Sequence, residues 1–324
     1  VGARRRRPLR RLVVAALLGA GLLAGCGGAS APTAAPTPTA PPASAPTAGP
    51  TSEPRLPQDL EQQAAMAALA REAERAAGQV APRVVGPLEG GDVSWPQCPR
   101  GSGIPERRTL GLPMPLPSAR FVVVGLTNGP AFFPNPCLAD QVAWVRERGL
   151  LAGAYAVASF PDDRTRAAYA EEGPFGGDEH DDLRNVGYQQ ALFNLAQLRE
   201  AGLPVPLVWV DVEPVRDWEW SADPGANAAV VEGIVRGYRD HGFAVGVYST
   251  PALWEAVVGD LALGVPEWRA AGETSRAEAL SRCGEDWSIG GGPGAMGQWL
   301  EADRDRNVTC PGAEDDVAGW FHDF

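Results

Sequence analysis

The sequence predicts an α/β domain built on parallel strands, either a (β/α) barrel or a doubly wound sheet. Strand-like apolar runs alternate with helical segments over residues 83–324, and such alternation builds parallel sheets covered by helices. The clearest run, Leu207-Val208-Trp209-Val210-Asp211-Val212-Glu213, stops at Pro214. Short β-branched and aromatic runs bounded by a breaker read as buried strands. With a period of two, Trp209, Asp211 and Glu213 face one way and Val208, Val210 and Val212 the other. Two carboxylates thus share one face at a strand's C-terminal end, where parallel barrels build their sites. Burying unpaired charge is costly, so such a pair is hydrogen-bonded, open to solvent or used for chemistry. No Gly-x-Gly-x-x-Gly follows the first strand, which disfavours a dinucleotide-binding domain.

The elements follow in order. Residues 90–95 form the first strand, with Asp92 near its end, and residues 121–128 the second. Asn135 is placed as a helix cap with Pro136 in the first helical position. Leu138, Val142 and Val145 make that helix's apolar stripe, and Gly149 ends it. Residues 151–157 form a third strand, and the acidic, glycine-rich stretch 161–183 a long loop. A helix over 184–201 precedes the strand 207–213. A helix over 225–241, a strand over 244–249 and a short helix over 251–258 follow. Residues 266–271 and 296–300 are candidates for later strands.

Ahead of this domain the composition changes three times. Residues 1–26 read as an export signal: an arginine-rich start, then an apolar run too short to span a membrane comfortably. The run ends in Leu23-Ala24-Gly25-Cys26, which resembles the lipobox of bacterial lipoproteins and implies lipidation at Cys26. That would tether the chain to the outer face of the cytoplasmic membrane. Residues 27–56 are almost entirely Ala, Pro, Thr, Ser and Gly, a composition that buries no core and stays extended. Residues 57–82 read as a helical stalk.

The formal charge is −12, and six arginines lie before Cys26 with no acid among them, so the rest of the chain is more acidic still. That argues against nucleic acid as a partner. All 28 basic residues are arginine, which excludes a Schiff-base lysine and a Walker-type phosphate loop. No cofactor is implied. Four cysteines remain beyond Cys26, an even count that in an exported chain reads as two disulfides. Three pairings are possible. Cys98–Cys137 is favoured because each follows one of two neighbouring strands, which leaves Cys283–Cys310. A zinc site is disfavoured, since there is no Cys-x-x-Cys and His180, His241 and His322 lack ligand spacing. Asp178, Glu179, Asp181 and Asp182 read as a solvated acidic surface.

One ordered set of motifs carries a resemblance. Asp92-Val93-Ser94-Trp95, Phe121-Val122-Val123-Val124, Gly153-Ala154-Tyr155, Val210-Asp211-Val212-Glu213, Gly246-Val247-Tyr248-Ser249-Thr250 and Gln298-Trp299 occur in sequence. Together they resemble the strand motifs of glycoside hydrolase family 25 lysozymes and related actinobacterial proteins. The resemblance implies an irregular eight-stranded barrel and an N-acetylmuramidase that cuts the glycan of peptidoglycan. It implies Glu213 as proton donor, Asp211 as the acid that orients or stabilises the reacting sugar, and Asp92 as the first-strand acid. The last acid falls on Asp316, with Asp315 as the alternative. Tyr155 and Tyr248 match cleft aromatics. Three departures stand out. Gly125-Leu126-Thr127-Asn128 lacks the family's charged strand-two ending, and Ala156-Val157 replaces an aromatic pair. Asp316-Val317-Ala318 lacks the asparagine of the family's final Asp-x-Asn.

The residues support glycosidase chemistry independently. Glycoside hydrolysis needs one protonated carboxyl and one ionised carboxylate, and neighbouring like charges push two pKa values apart. Trp95, Trp218 and Trp220, in loops or beside acids, join Tyr155 and Tyr248 as candidate sugar-binding aromatics, whereas Trp209, Trp254 and Trp299 read as core. The alternative is a non-catalytic barrel that binds envelope glycan or partner proteins. Convergence of the acids in one open cleft separates the two readings.

Overall fold

A computed structural model describes residues 86–215 and 217–324. The expected signal with Cys26, the linker, the stalk, the first residues of the domain and Arg216 lie outside the described residues. Eight strands close a barrel in the order β1, β10, β9, β8, β7, β6, β5, β4. They are β1 (Glu89–Val93), β4 (Phe121–Gly125), β5 (Leu151–Val157), β6 (Leu207–Asp211), β7 (Ala244–Ser249), β8 (Glu267–Glu273), β9 (Gly294–Glu301) and β10 (Arg304–Thr309). A separate hairpin, β2 (Gly103–Ile104) with β3 (Arg107–Arg108), lies between β1 and β4 in sequence. From β1 and β4 round to β9 every pairing is parallel. Only β10 runs antiparallel to its neighbours β9 and β1. Closure of the sheet decides for the barrel over the doubly wound alternative.

The helices are α1 (Leu138–Glu147), α2 (Asp163–Tyr169), α3 (Asp181–Ala201), α4 (Pro224–Asp240), α5 (Pro251–Val258) and α6 (Arg276–Ser281). The two faces of β6 divide as the alternation predicts. Val208, Val210 and Val212 join the apolar layer with the helices, while Leu207 and Trp209 pack with Phe121, Val123, Trp268 and Met296 in the other core cluster. Trp320 and Phe321 belong to that second cluster: Phe321 meets Phe121 at 4.7 Å and Trp320 meets Trp209 at 6.2 Å between ring centroids. Helices α3 and α4 approach closely through glycine. A Cβ on Gly187 would lie 2.0 Å from the Val230 carbonyl oxygen, and one on Gly233 2.0 Å from that of Arg184.

Several expectations need correction. Asn135 does not cap a helix opened by Pro136. The helix starts two residues later, at Leu138, and Cys137 is its cap residue. The buried Asn135 side chain instead donates to the Gly125 carbonyl (2.8 Å) and to Gln141 (2.7 Å), and accepts from the Cys137 amide (3.2 Å). The stretch 161–183 is not a continuous loop: Asp162 caps α2 by accepting from the Thr165 amide. Strands β1, β4 and β6 end earlier than expected, which leaves Glu213 just beyond β6.

The barrel strand missing from the sequence reading is β10. It enters through a two-residue turn in which Ala302 (φ +52°) and Asp303 (φ +57°) are both left-handed. Hairpins of this length favour left-handed residues at both positions, usually Asn and Gly. Both disulfides, Cys98–Cys137 and Cys283–Cys310, form as favoured.

One internal ion pair is also new. Glu267 and Arg269 on β8 are 0% and 2% exposed in their side chains and 2.7 Å apart. The carboxylate accepts from the amides of Ile289 (2.7 Å), Gly290 (2.7 Å) and Gly292 (2.8 Å). The guanidinium donates to the carbonyls of Arg282 and Gly284, each at 2.7 Å. The pair staples the chain between α6 and β9 to the barrel.

Candidate active site

Parallel barrels carry their sites at the C-terminal ends of the strands. Here that end is polar. A cavity of about 150 Å³ is lined by Asp92, Asp211, Glu213 and Asp305 with Tyr155, Tyr248, Trp268 and Gln298. Asp92 comes from β1, Asp211 from the end of β6, and Glu213 from the residue pair after it. Tyr155 and Tyr248 come from β5 and β7. No residue of 161–183 lines the cavity, so that stretch does not close it.

Asp316 is not in this cavity. It is exposed, at the start of the short 3-10 turn Val317–Gly319, and Asp315 beside it is exposed too. The reason is topological. Because β10 runs backwards, its start lies at the C-terminal end of the parallel strands and its finish at the opposite end. The acid at the mouth is therefore Asp305, at the start of β10, while residues after Thr309 return to the far end, where Trp320 and Phe321 pack. The sequence held a signal for this: Asp305-Arg306-Asn307 has the Asp-x-Asn spacing that seemed absent at Asp316.

A hydrogen-bond chain sets the acids. Tyr248 donates to Gln298 (2.7 Å), whose amide donates to Asp92 Oδ1 (3.0 Å). Asn307 donates to the same oxygen (2.7 Å) and accepts from the Trp268 indole (2.8 Å). Burial, then the charge of Asp305, push the Asp92 carboxyl up to about 8, against the hydrogen bonds from Asn307 and Gln298. Asp211 is 4% exposed, and its Oδ1 has no hydrogen-bond partner among the described residues. Burial, followed by the charges of Glu213 and Asp92, holds its carboxyl well above the ordinary range. Glu213 is half-buried and also raised, first by burial; Arg107 opposes the rise and Asp305 adds to it. Asp305 is raised by burial. All four carboxyls therefore hold their protons more tightly than ordinary ones do.

The aromatic floor is Tyr155, Tyr248 and Trp268, with Tyr248 and Trp268 edge to face at 4.7 Å. Trp268 was not singled out from sequence, although it lies in the expected strand 266–271. Gly246 leaves room for the layer below: a Cβ there would lie 2.3 Å from the Trp209 ring. Trp95, Trp218 and Trp220 do not line the cavity. Trp220 instead donates its indole N–H to the Glu213 carbonyl (3.0 Å), which fixes the backbone of the acid. Trp95 and Trp218 flank Arg107. Trp209, Trp254 and Trp299 are each at most 1% exposed, as core residues are. Among the described residues no cluster of His, Cys, Asp and Glu is arranged to hold a metal ion.

A family model described as Lysozyme-like protein 1 matches residues 181–278, a segment that holds Asp211, Glu213, Tyr248 and Trp268. Counting factor 45-1 of Dictyostelium discoideum is 40% identical over 77 residues, 24% of this chain and 25% of the relative. Probable GH family 25 lysozyme 4 of the same organism is 35% identical over 66 residues, 20% of this chain and 30% of the relative. The chain thus spans a quarter to a third of the length of these relatives. Among solved structures, the bacterial lysozyme from Streptomyces coelicolor is 15% identical with a TM-score of 0.45, over 72% of this chain and 96% of that one. The sequence matches agree with the strand motifs: the segment 181–278 is similar to lysozyme-like proteins.

Proposed function

We propose that this chain is a cell-envelope glycosidase that cleaves the glycan of peptidoglycan by carboxylate acid catalysis. The observation that carries the reading is the convergence of Asp92, Asp211, Glu213 and Asp305 over an aromatic floor in one open cavity. Glu213, half-buried and beyond the end of β6, is the acid best placed to meet a glycosidic oxygen. It gives its proton to that oxygen as the bond to the anomeric carbon breaks. Asp211 lies deeper, with an oxygen that no other described group satisfies. In this reading Asp211 acts in its ionised form, its proton having passed to solvent before the bond breaks, and it stabilises the positive charge on the sugar ring most strongly in the transition state. Water then adds to the anomeric carbon and its proton returns to Glu213. The charge of Asp305 adds to burial in favouring the protonated form of both Asp92 and Glu213. The similarity to a relative named as a probable GH family 25 lysozyme supports the same reading.

The substrate lies outside the cytoplasm. Two disulfides agree with an oxidising compartment, and lipidation at Cys26 would hold the domain at the outer face of the membrane. The test is incubation of the full chain, Glu213→Gln and Asp211→Asn with purified peptidoglycan, following new reducing ends and released muropeptides by mass spectrometry. Release by the parent, lost in both folded variants, is the expected result. No release from peptidoglycan, with glycan pull-down still positive, would overturn the enzyme reading.

A further inference from the structure

We propose that Asp92 acts as a neutral hydrogen-bond donor, presenting an O–H on Oδ2 to an acceptor oxygen of the bound sugar while its neighbours hold Oδ1 as an acceptor. This rests on the glycosidase reading above. The orientation of the network around Asp92 follows from one group, the Trp268 indole. An indole N–H can only donate, so the Asn307 atom 2.8 Å from it is the oxygen. The Asn307 atom 2.7 Å from Asp92 Oδ1 is therefore the amide nitrogen, and Oδ1 accepts from it. The second lone pair of Oδ1 takes the Gln298 amide at 3.0 Å, and the Gln298 carbonyl accepts from Tyr248. With both lone pairs engaged, Oδ1 has no room for a proton. Any proton that Asp92 carries sits on Oδ2.

Oδ2 has no hydrogen-bond partner among the described residues and is not sealed from solvent as Asp211 Oδ1 is. It is therefore the oxygen that Asp92 offers to the cavity it lines. The surroundings keep it protonated. Asp92 is buried, no arginine or histidine lines the cavity, and Asp305 stands on the neighbouring strand β10. The two amide hydrogen bonds favour the charged form, but burial and the charge of Asp305 outweigh them and push the carboxyl up to about 8. A carboxyl kept neutral in this way is a donor rather than a charge. Its neutrality also spares Asp211, whose ionised form a charge on Asp92 would oppose.

The test uses the full chain in a Glu213→Gln background, which separates binding from turnover, with a soluble peptidoglycan-derived tetrasaccharide as the probe. Asp92→Asn keeps the donor: Asn307 and Gln298 hold its carbonyl at the Oδ1 position, and its NH2 faces the sugar. Calorimetric titration is expected to show a loss of affinity of less than about threefold. Asn307→Asp turns the donor inward. The Trp268 indole still donates to one oxygen at position 307, but the other now takes a proton from Oδ1, and Oδ2 meets the sugar bare. A loss of about tenfold or more is expected, the worth of one hydrogen bond. Infrared difference spectra between the chains with and without Asp92→Asn report the state of Asp92 directly. A carboxylic-acid C=O band at neutral pH that shifts when the saccharide binds is expected. Equal losses in the two variants, carboxylate bands alone at Asp92, or no binding by any form would overturn the proposal. Muropeptide release by the unmutated chain is followed alongside. Release with only carboxylate bands at Asp92 removes this inference and keeps the glycosidase; a saccharide-sensitive acid band without release does the reverse.

Discussion

Two sets of charged side chains are buried in this barrel, and they are built in opposite ways. Glu267 and Arg269 are almost fully enclosed, yet each is satisfied by the other and by backbone groups around it. The acids at the mouth have no cation among the residues lining their cavity, and Asp211 has an oxygen with no partner. The first set turns burial into a staple, because every desolvated group regains its hydrogen bonds. The second keeps the electrostatic strain of burial, which holds protons on carboxyls that would ordinarily lose them. Burial therefore does not by itself mark a functional charge; what distinguishes the cleft acids is burial beside other acids with no cation lining their cavity.

Breaking each set should produce opposite phenotypes. Glu213→Gln should lower muropeptide release by about 10²–10⁴-fold, the usual worth of a general acid, while the thermal midpoint holds or rises. A midpoint that fell with the rate would make Glu213 a structural acid. Arg269→Leu should cost about 3–5 kcal/mol in urea denaturation by stranding Glu267, with activity per folded molecule unchanged. Adding Glu267→Leu should recover most of that loss, since the pair is expensive chiefly when halved.

The pH dependence of stability sharpens the contrast. The Asp92 carboxyl stands at about 8 in the folded chain against an ordinary 3.8. Between those values the folded form binds more protons than the unfolded form. Its contribution is therefore complete below about pH 4 and is lost as pH rises through about 8. Asp211, Glu213 and Asp305 are shifted in the same direction. The thermal midpoint should fall across that window, and Asp92→Asn should flatten the fall. An unchanged slope in the variant would remove Asp92 from the cluster's proton balance. The smallest effect is expected from Tyr248→Phe. It loses one hydrogen bond to Gln298, worth about 1 kcal/mol, and should lower kcat/KM by less than about tenfold, measured on soluble muropeptide.

Much of this was legible in the chain itself. Alternation in 207–213 put Trp209 and Asp211 on one face and the valines on the other, because side-chain direction in a strand follows from local geometry alone. The even cysteine count and strand adjacency led to both disulfides. The hydrophobic runs of β4, β5 and β7 were plain for the same reason. Strand β10 was not, since Arg304, Asp305, Arg306 and Asn307 offer no apolar face. Its polar groups are satisfied by partners outside the strand: Glu89 and Glu301 for Arg306, and Asp92 with Trp268 for Asn307.

What sequence alone determined is therefore local: which segments are strands and helices, which faces are apolar, and that two carboxylates stand at one strand end. Tertiary structure decided what depends on chain direction and on contacts between remote segments. The reversal of one strand placed Asp305 rather than Asp316 at the mouth. Closure of the barrel brought Asn307 and Gln298 onto Asp92 across more than 200 residues of chain. Periodicity reports how a segment meets its own neighbours, whereas the position of an acid in a closed barrel is a property of the whole ring.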